Sequence, residues 1–286
     1  MQESCLSFLR VLGIFHLTAC HRKETESNSP DTIEERTGMK LVVCINHVPD
    51  TETKVKVGPD GKAIDPAGVN FMLNPYDEFA IEAALKLKEQ FGGETYAMTL
   101  GPDAHKETLR KALAMGIDKA ILLKDAAVRD SFSVARALAD ELKNMSPDLI
   151  LFGKQSIDYS GEQIPGLVAE FLGLPSVSVV VKLDVKDGKA ACEREIEGGH
   201  EIVETTLPAV ISAQKGLNEP RYPSLKGIMQ AKSKPIEERS PGATPIYLET
   251  RLMQKPPAKQ PGKIIGTDTT AAKELVRLLH EEAKVV

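Results

Sequence analysis

The chain has 286 residues, 42% of them hydrophobic and 27% charged, with a formal net charge of −5, enough for one large or two small domains with a packed core. Its lysines and arginines are scattered, not striped, which argues against a nucleic-acid partner. Cys5, Cys20, Cys44 and Cys192 form neither a CxxC pair nor a zinc-spaced cluster with histidine, so neither a disulfide framework nor a metal site is implied, and a reducing compartment suits the chain.

Residues 1–38 are read apart from the rest. The apolar run 9–19 and the box Leu17-Thr18-Ala19-Cys20 imitate a lipoprotein export signal. Against export, the segment before the run has no positive character, His16 interrupts the run, and a strong strand starts directly after Met39. A disordered leader or a stretch upstream of the true start is expected, with a cytoplasmic protein. Elsewhere no run approaches the ~18 apolar residues of a spanning helix.

From Met39 strands and helices alternate. Residues 40–45 are a continuous apolar run, the pattern of a parallel strand covered on both faces. Phe79, Ala80, Ala83, Ala84, Leu87 and Phe91 recur at helical spacing, predicting a helix over 77–91 behind an Asn74 cap and Pro75. Strands over 95–100, 119–123 and 149–152 and helices over 104–115, 131–144 and 161–172 continue the rhythm, with Gly116 expected as a left-handed cap. This alternation implies right-handed crossovers and a doubly wound, mostly parallel α/β sheet with ligands at the carboxyl ends of its strands.

After Gly173-Leu174-Pro175 the pattern becomes strands alone, at 176–183, 189–196, 201–206 and 207–213, expected to be antiparallel additions to the sheet. The charged hairpin around Gly198-Gly199 belongs at an edge or interface. Residues 218–223, stiffened by Pro220 and Pro223, form a presented loop. A short helix then offers Leu225, Ile228 and Met229, an apolar face without an evident place in the core. Met98, Met115 and Met229 are otherwise read as core. Residues 235–286 are proline-rich up to Pro261 and read as an extended arm. The arm ends in a helix over 270–284 with a small apolar stripe that suits a partner. The organisation is thus a leader, a nucleotide-binding region over 39–234 with a recognition loop near 213–234, and the arm.

Neither GxGxxG nor a Walker A motif occurs. The best nucleotide candidate is the run from Gly153 to Gln163, where a strand ends in glycine, Lys154 adds charge and a helix begins. The same residues also suit an ordinary βα loop with a solvated lysine. Asp158 and Glu162 read as solvated acids near a helix start. The histidines have no base-orienting partners at recognisable spacing, with His47, beside the first strand end, the one of interest. The ends of the first and second strands, 44–46 and 100–102, converge on the same edge as the Gly153 loop.

Three segments, Cys192-Glu193-Arg194-Glu195-Ile196-Glu197-Gly198-Gly199, Leu207-Pro208-Ala209-Val210 and Leu217-Asn218-Glu219-Pro220-Arg221-Tyr222, occur in the order of the β-subunit signature of electron transfer flavoproteins. The resemblance runs from Met39 to about Glu238, with Cys192 where valine is usual. It implies an adenine nucleotide α-hydrolase-like fold and a non-enzymatic electron carrier. A heterodimer with an α subunit would hold FAD between the chains and AMP in this one, taking electrons from acyl-CoA and related dehydrogenases to a membrane quinone oxidoreductase. Carried across, the AMP residues are Cys44, Asn74, Pro75, Tyr76, Gly153, Lys154, Gln155, Ser156, Ile157, Asp158 and Gln163. Ser156 stands where alanine is usual, and 159–163 departs further. Residues 48–51 would come near the flavin. Leu225 would anchor dehydrogenases, with Glu195, Arg221, Tyr222, Ile228 and Met229 around it. Two alternatives stay open: a bifurcating form with a second FAD in place of AMP, and a nucleotide-binding regulatory module without redox partners.

Overall fold

The structure, a computed structural model, describes residues 38–259, 261–262 and 264–286. The expected leader, Cys5 and Cys20 included, lies outside the described residues except at Gly38. The α/β rhythm runs β1 (Met39–Cys44), α1 (Pro75–Phe91), β4 (Gly93–Gly101), α2 (His105–Met115), β5 (Lys119–Lys124), α3 (Ser131–Met145), β6 (Leu149–Gly153) and α4 (Gln163–Leu172). Two three-residue strands, β2 (His47–Pro49) and β3 (Phe71–Leu73), pair as an antiparallel ribbon between β1 and α1. Beyond α4 come β7 (Ser176–Lys186), β8 (Lys189–Ile196), β9 (Gly199–Thr206), β10 (Ala209–Ala213), α5 (Leu225–Ser233), β11 (Ile236–Arg239) and α6 (Ala271–Leu278).

Nine strands form one sheet in the order β11-β5-β4-β1-β6-β10-β7-β8-β9. The pairs from β11 to β7 are parallel, and β7-β8 and β8-β9 are antiparallel. Alternate side chains of β1 serve opposite faces, because the strand period is two. Leu41, Val43 and Ile45 join the core under α1 and α2, while Val42 and Cys44 join the one under α3 and α4. A strand sandwiched in this way must be apolar on both sides, which is why β1 and β6 read as unbroken hydrophobic runs.

The strand-only stretch differs from its expected arrangement. β10 is not antiparallel: it is fully buried and parallel to both β6 and β7. Its sequence, Ala-Val-Ile-Ser-Ala, lacks polar alternation, and that lack is the mark of a central strand. β7 is long enough to serve two partners, and a break in register opposite Ile211 to Ala213 separates its parallel half from the half paired with β8. The charged hairpin does end the sheet, with β9 as edge strand. Gly116 has φ +129°, positive but outside the left-handed helical region. The arm starts with a strand, since β11 pairs with β5 at the opposite edge. α6 has no buried residue and continues into a π-helical turn, Leu279–Ala283. Among the described residues no helix is long and apolar enough to cross a membrane, and no group of three metal-binding side chains occurs.

Candidate functional site

The chain lays β4 and β5 on one side of β1, then crosses to place β6 on the other. A doubly wound sheet opens a crevice at the carboxyl ends of its strands where the order reverses in this way. A cavity of about 230 Å3 occupies that place. Its walls are the ends of the three strands (Cys44 and Ile45, Thr99 and Leu100, Phe152 and Gly153), the first turns of α3 and α4, and the loop after β6. All three strand ends expected to converge therefore do so.

A buried carboxylate ties these walls together. Asp77, in the first turn of α1, accepts through Oδ2 from the Asn46 N–H at 2.7 Å. Through Oδ1 it accepts from the Gly153 N–H at 3.1 Å and from Asn74 Nδ2 at 3.0 Å. Burial pushes its pKa up to about 7 against the pull of these hydrogen bonds. Gly153 has no room for a side chain, because a Cβ would lie 2.3 Å from Asp77 Oδ1 and 2.6 Å from the Tyr76 carbonyl carbon. That absence lets the loop after β6 approach α1 so closely. Asn74 extends the tie by donating to the Gln155 carbonyl at 2.9 Å, and Asn46 donates to Ser156 Oγ at 2.8 Å.

The cavity has two characters. Cys44, Ile45, Leu138, Phe152 and Ile164 supply an apolar floor, while Lys154, Arg129, Ser131 and Ser156 supply a polar rim. Lys154 Nζ lies 3.3 Å from Glu162 Oε1, and Arg129 is paired with Asp125 at 2.6 Å. The Cys44 thiol is raised well above the usual range by burial and, second, by Asp77, so it is an inert apolar surface here. A flat neutral base suits such a floor and an anionic group such a rim, so the residues present fit an adenylate.

Of the nucleotide residues expected from sequence, Cys44, Asn74, Gly153, Lys154, Gln155, Ser156 and Asp158 line the cavity. Pro75, Tyr76, Ile157 and Gln163 are not among its lining: Tyr76 presents its backbone to Gly153, Ile157 donates its N–H to Asn74 Oδ1 at 3.3 Å, and Gln163 is exposed at the start of α4. Asp77, Thr99, Arg129 and Ser131 were missed. A signal existed for Asp130-Ser131, since an Asp followed three residues later by Ser133 opens an apolar period and Asp130 does cap α3. For Asp77 there was none, because an acid in the first turn of a helix normally faces solvent.

The expected docking residues lie elsewhere. α5 packs on α2, anchored by Arg110 Nη1, which donates to the Ala231 carbonyl at 2.5 Å. A Cβ at Gly227 would meet the Ala114 carbonyl oxygen at 2.5 Å, so glycine sets the close approach of the two helices. Ser224 caps α5 by accepting from the Gly227 N–H at 3.0 Å. On this fixed stem Tyr222, Leu225 and Met229 are 95%, 83% and 73% exposed, with Ile228 partly covered, so Met229 is no core residue. Arg221 is engaged within the chain, its Nε 2.8 Å from Glu82 Oε2 and Nη1 2.7 Å from Glu89 Oε1. Glu195 sits on β8 toward the far edge of the sheet, accepting from Gln214 Nε2 at 2.9 Å. His47 stacks on Phe71 at 4.7 Å and meets His105 at 4.7 Å. Burial lowers the pKa of both imidazoles, that of His105 to about 4.

The profile of the electron transfer flavoprotein domain matches residues 62–244. The electron transfer flavoprotein subunit beta of Syntrophomonas wolfei is 41% identical over 249 residues, covering 86% of this chain and 98% of that protein. That of Bacillus subtilis is 42% identical over 260 residues, covering 87% and 100%. The caffeyl-CoA reductase-Etf complex subunit CarD of Acetobacterium woodii is 38% identical over 261 residues, covering 85% and 99%. With a family profile over more than half its length and full-length relatives of this kind, the chain belongs to the electron transfer flavoprotein family as a β subunit.

Proposed function

We propose that this chain is the AMP-holding half of a heterodimeric electron carrier whose α subunit binds FAD. The flavin supplies the redox chemistry, and the residues of this chain do no bond making. They hold the adenylate at the strand tips, contribute a wall near the flavin from residues 48–51, and present the α5 surface to acyl-CoA and related dehydrogenases. Electrons would leave for a membrane quinone oxidoreductase. The carrier is read as cytoplasmic.

The single observation behind this reading is the cavity at the β1 switch point, apolar beneath and polar at its rim, where Lys154 and Arg129 stand beside Ser131, Ser156 and Asp158. A purine stacks on such a floor while its phosphate meets Lys154, which is freer than Arg129 to leave its partner because Glu162 is half exposed. Cys44, Asn74, Gly153, Gln155, Ser156 and Asp158 shape the slot. Pro75, Tyr76, Ile157 and Gln163 support it from the adjoining helix starts and loop. The exposed apolar groups on α5 support docking, since burying one leucine is worth about 1.5–3 kcal/mol. The arm and α6, which leave Leu252, Leu275 and Val276 exposed, are read as the surface for the α subunit.

The test is co-expression with an α-type subunit and a count of released nucleotides per dimer. One FAD and one AMP are expected. Two FAD and no AMP would replace the adenylate with a second flavin, and a colourless homodimer would overturn the carrier reading.

A further inference from the structure

The arm after β11 is fastened to one wall of the strand-tip cavity. Asp130 uses its two oxygens for two jobs. Oδ1 caps α3 by accepting from the Ser133 N–H at 2.8 Å, and Oδ2 accepts from the successive Tyr247 and Leu248 N–H groups at 2.7 and 2.8 Å. The residues on either side of Asp130, Arg129 and Ser131, line the cavity. Arg129 also donates to Thr244 Oγ1 of the arm, while its other nitrogens stay on Asp125 at 2.6 Å.

A row of rings extends this attachment. Tyr247 meets Phe132 edge-on at 5.0 Å, and Phe132 meets Phe171 of α4 edge-on at 5.1 Å. The arm thus grips the first turn of α3 and, through it, α4, and these two helices supply Ser131, Val134, Ile164 and Pro165 to the cavity wall. The grip uses little burial, since the Tyr247 and Leu248 side chains are largely exposed. A segment held by a few polar contacts belongs to the low-stability end of a fold and opens locally without global unfolding.

We propose that residues 244–248 are a strap that governs access to the strand-tip cavity, with Asp130 as its clasp. While the strap is held, α3 stays closed against α4. When it releases, the first turn of α3 loosens and the cavity opens. This reading concerns the cavity itself and does not depend on which nucleotide fills it.

Two variants separate the clasp from the helix cap. Asp130→Ser keeps one oxygen for the Ser133 N–H, because serine is a good helix cap, but leaves none for the arm. Leu248→Pro removes one of the two N–H groups while leaving Asp130 intact. In the full-length chain, iodoacetamide labelling mapped by peptide mass reads cavity opening at Cys44, which lines the cavity and is buried. Cys192, buried on β8, reads general loosening. In both variants Cys44 labelling should rise about tenfold with Cys192 unchanged, and amide exchange at the arm should quicken. Unchanged Cys44 labelling in Asp130→Ser overturns the strap, whether or not the arm is released. An equal rise at Cys192 overturns it as well, because the effect would then be global.

Discussion

The strand-tip cavity and the finger carrying α5 use side chains in opposite ways. In the cavity the polar groups are already committed to one another: Asp77 holds three donors from Asn46, Asn74 and Gly153, and Lys154 and Arg129 each face a carboxylate. In the finger the commitment is made by backbone and stem, through the Ser224 cap, Gly227 against α2 and the Arg221 fork, while Leu225 and Met229 are left without partners. A site that must grip one small molecule profits from fixed walls, because preorganisation lowers the entropic cost of binding. On the proposed docking reading, the finger offers apolar tips free to adapt on a stem that is itself fixed.

The largest effect that would break this contrast is on the stem. Arg221→Ala leaves Glu82, whose side chain is 3% exposed, as a buried carboxylate without its cation. Breaking a buried pair costs about 3–5 kcal/mol, and the part-exposed guanidinium places this one nearer about 2–3 kcal/mol. Urea unfolding of the variant should show that loss together with faster proteolysis in residues 218–224. A stable variant with an unmoved loop would mean that the finger is held by something other than the fork.

The cavity wall answers to acid. Burial raises the Asp130 pKa, but hydrogen bonds from Ser133, Tyr247 and Leu248 outweigh burial and hold it at about 2, below its ordinary 3.8. A depressed carboxylate stabilises the fold above its unfolded pKa, and that stability is lost as pH falls through the folded value. That contribution should therefore be lost between about pH 4 and pH 2. Asp118 and Asp125 are held low as well, so stability should fall across that range and Asp130→Asn should make the fall shallower without abolishing it.

Next comes Gly153→Ala, whose methyl would press on Asp77 and the Tyr76 backbone. Overpacking of this kind costs about 1–3 kcal/mol. Because the strain falls on the junction of α1 and β6, AMP content should drop further than stability does, by nucleotide count after denaturation. Retained AMP would place the adenylate away from this junction.

The smallest change in stability should come from Leu225→Ala, below about 0.5 kcal/mol for so exposed a side chain. Its effect should appear instead in slower flavin reduction by a dehydrogenase, with heterodimer and FAD content intact. Normal reduction kinetics would remove the docking role from α5 and sharpen the contrast to one of structure alone.

The period of the chain determined by itself that the molecule is a doubly wound α/β protein, where β1, α1, β4, α2, β5, α3, β6 and α4 begin and end to within a few residues, and that a site should lie beyond the strand ends. Burial on two faces or one leaves its own apolar spacing, so local pattern carries that information. It also pointed to Gly153 and Lys154, because a glycine at a strand end is a local device; Asn74 was implied by the family resemblance, and its side chain ties Asp77 to Gln155 instead of capping α1. Tertiary structure alone decided which strands are neighbours: β10 enters the middle of the sheet between β6 and β7, and β11 attaches at the far edge through residues that read as part of an arm. Partner choice between strands is a contact between distant segments, and a five-residue apolar run is compatible with several. The same holds for Asp77, Arg129 and Asp130. Nothing near them in sequence says that one acid will be walled in by Gly153, or that another will hold a segment 117 residues further along the chain, because a side chain's burial and partners exist only once the chain has closed around it.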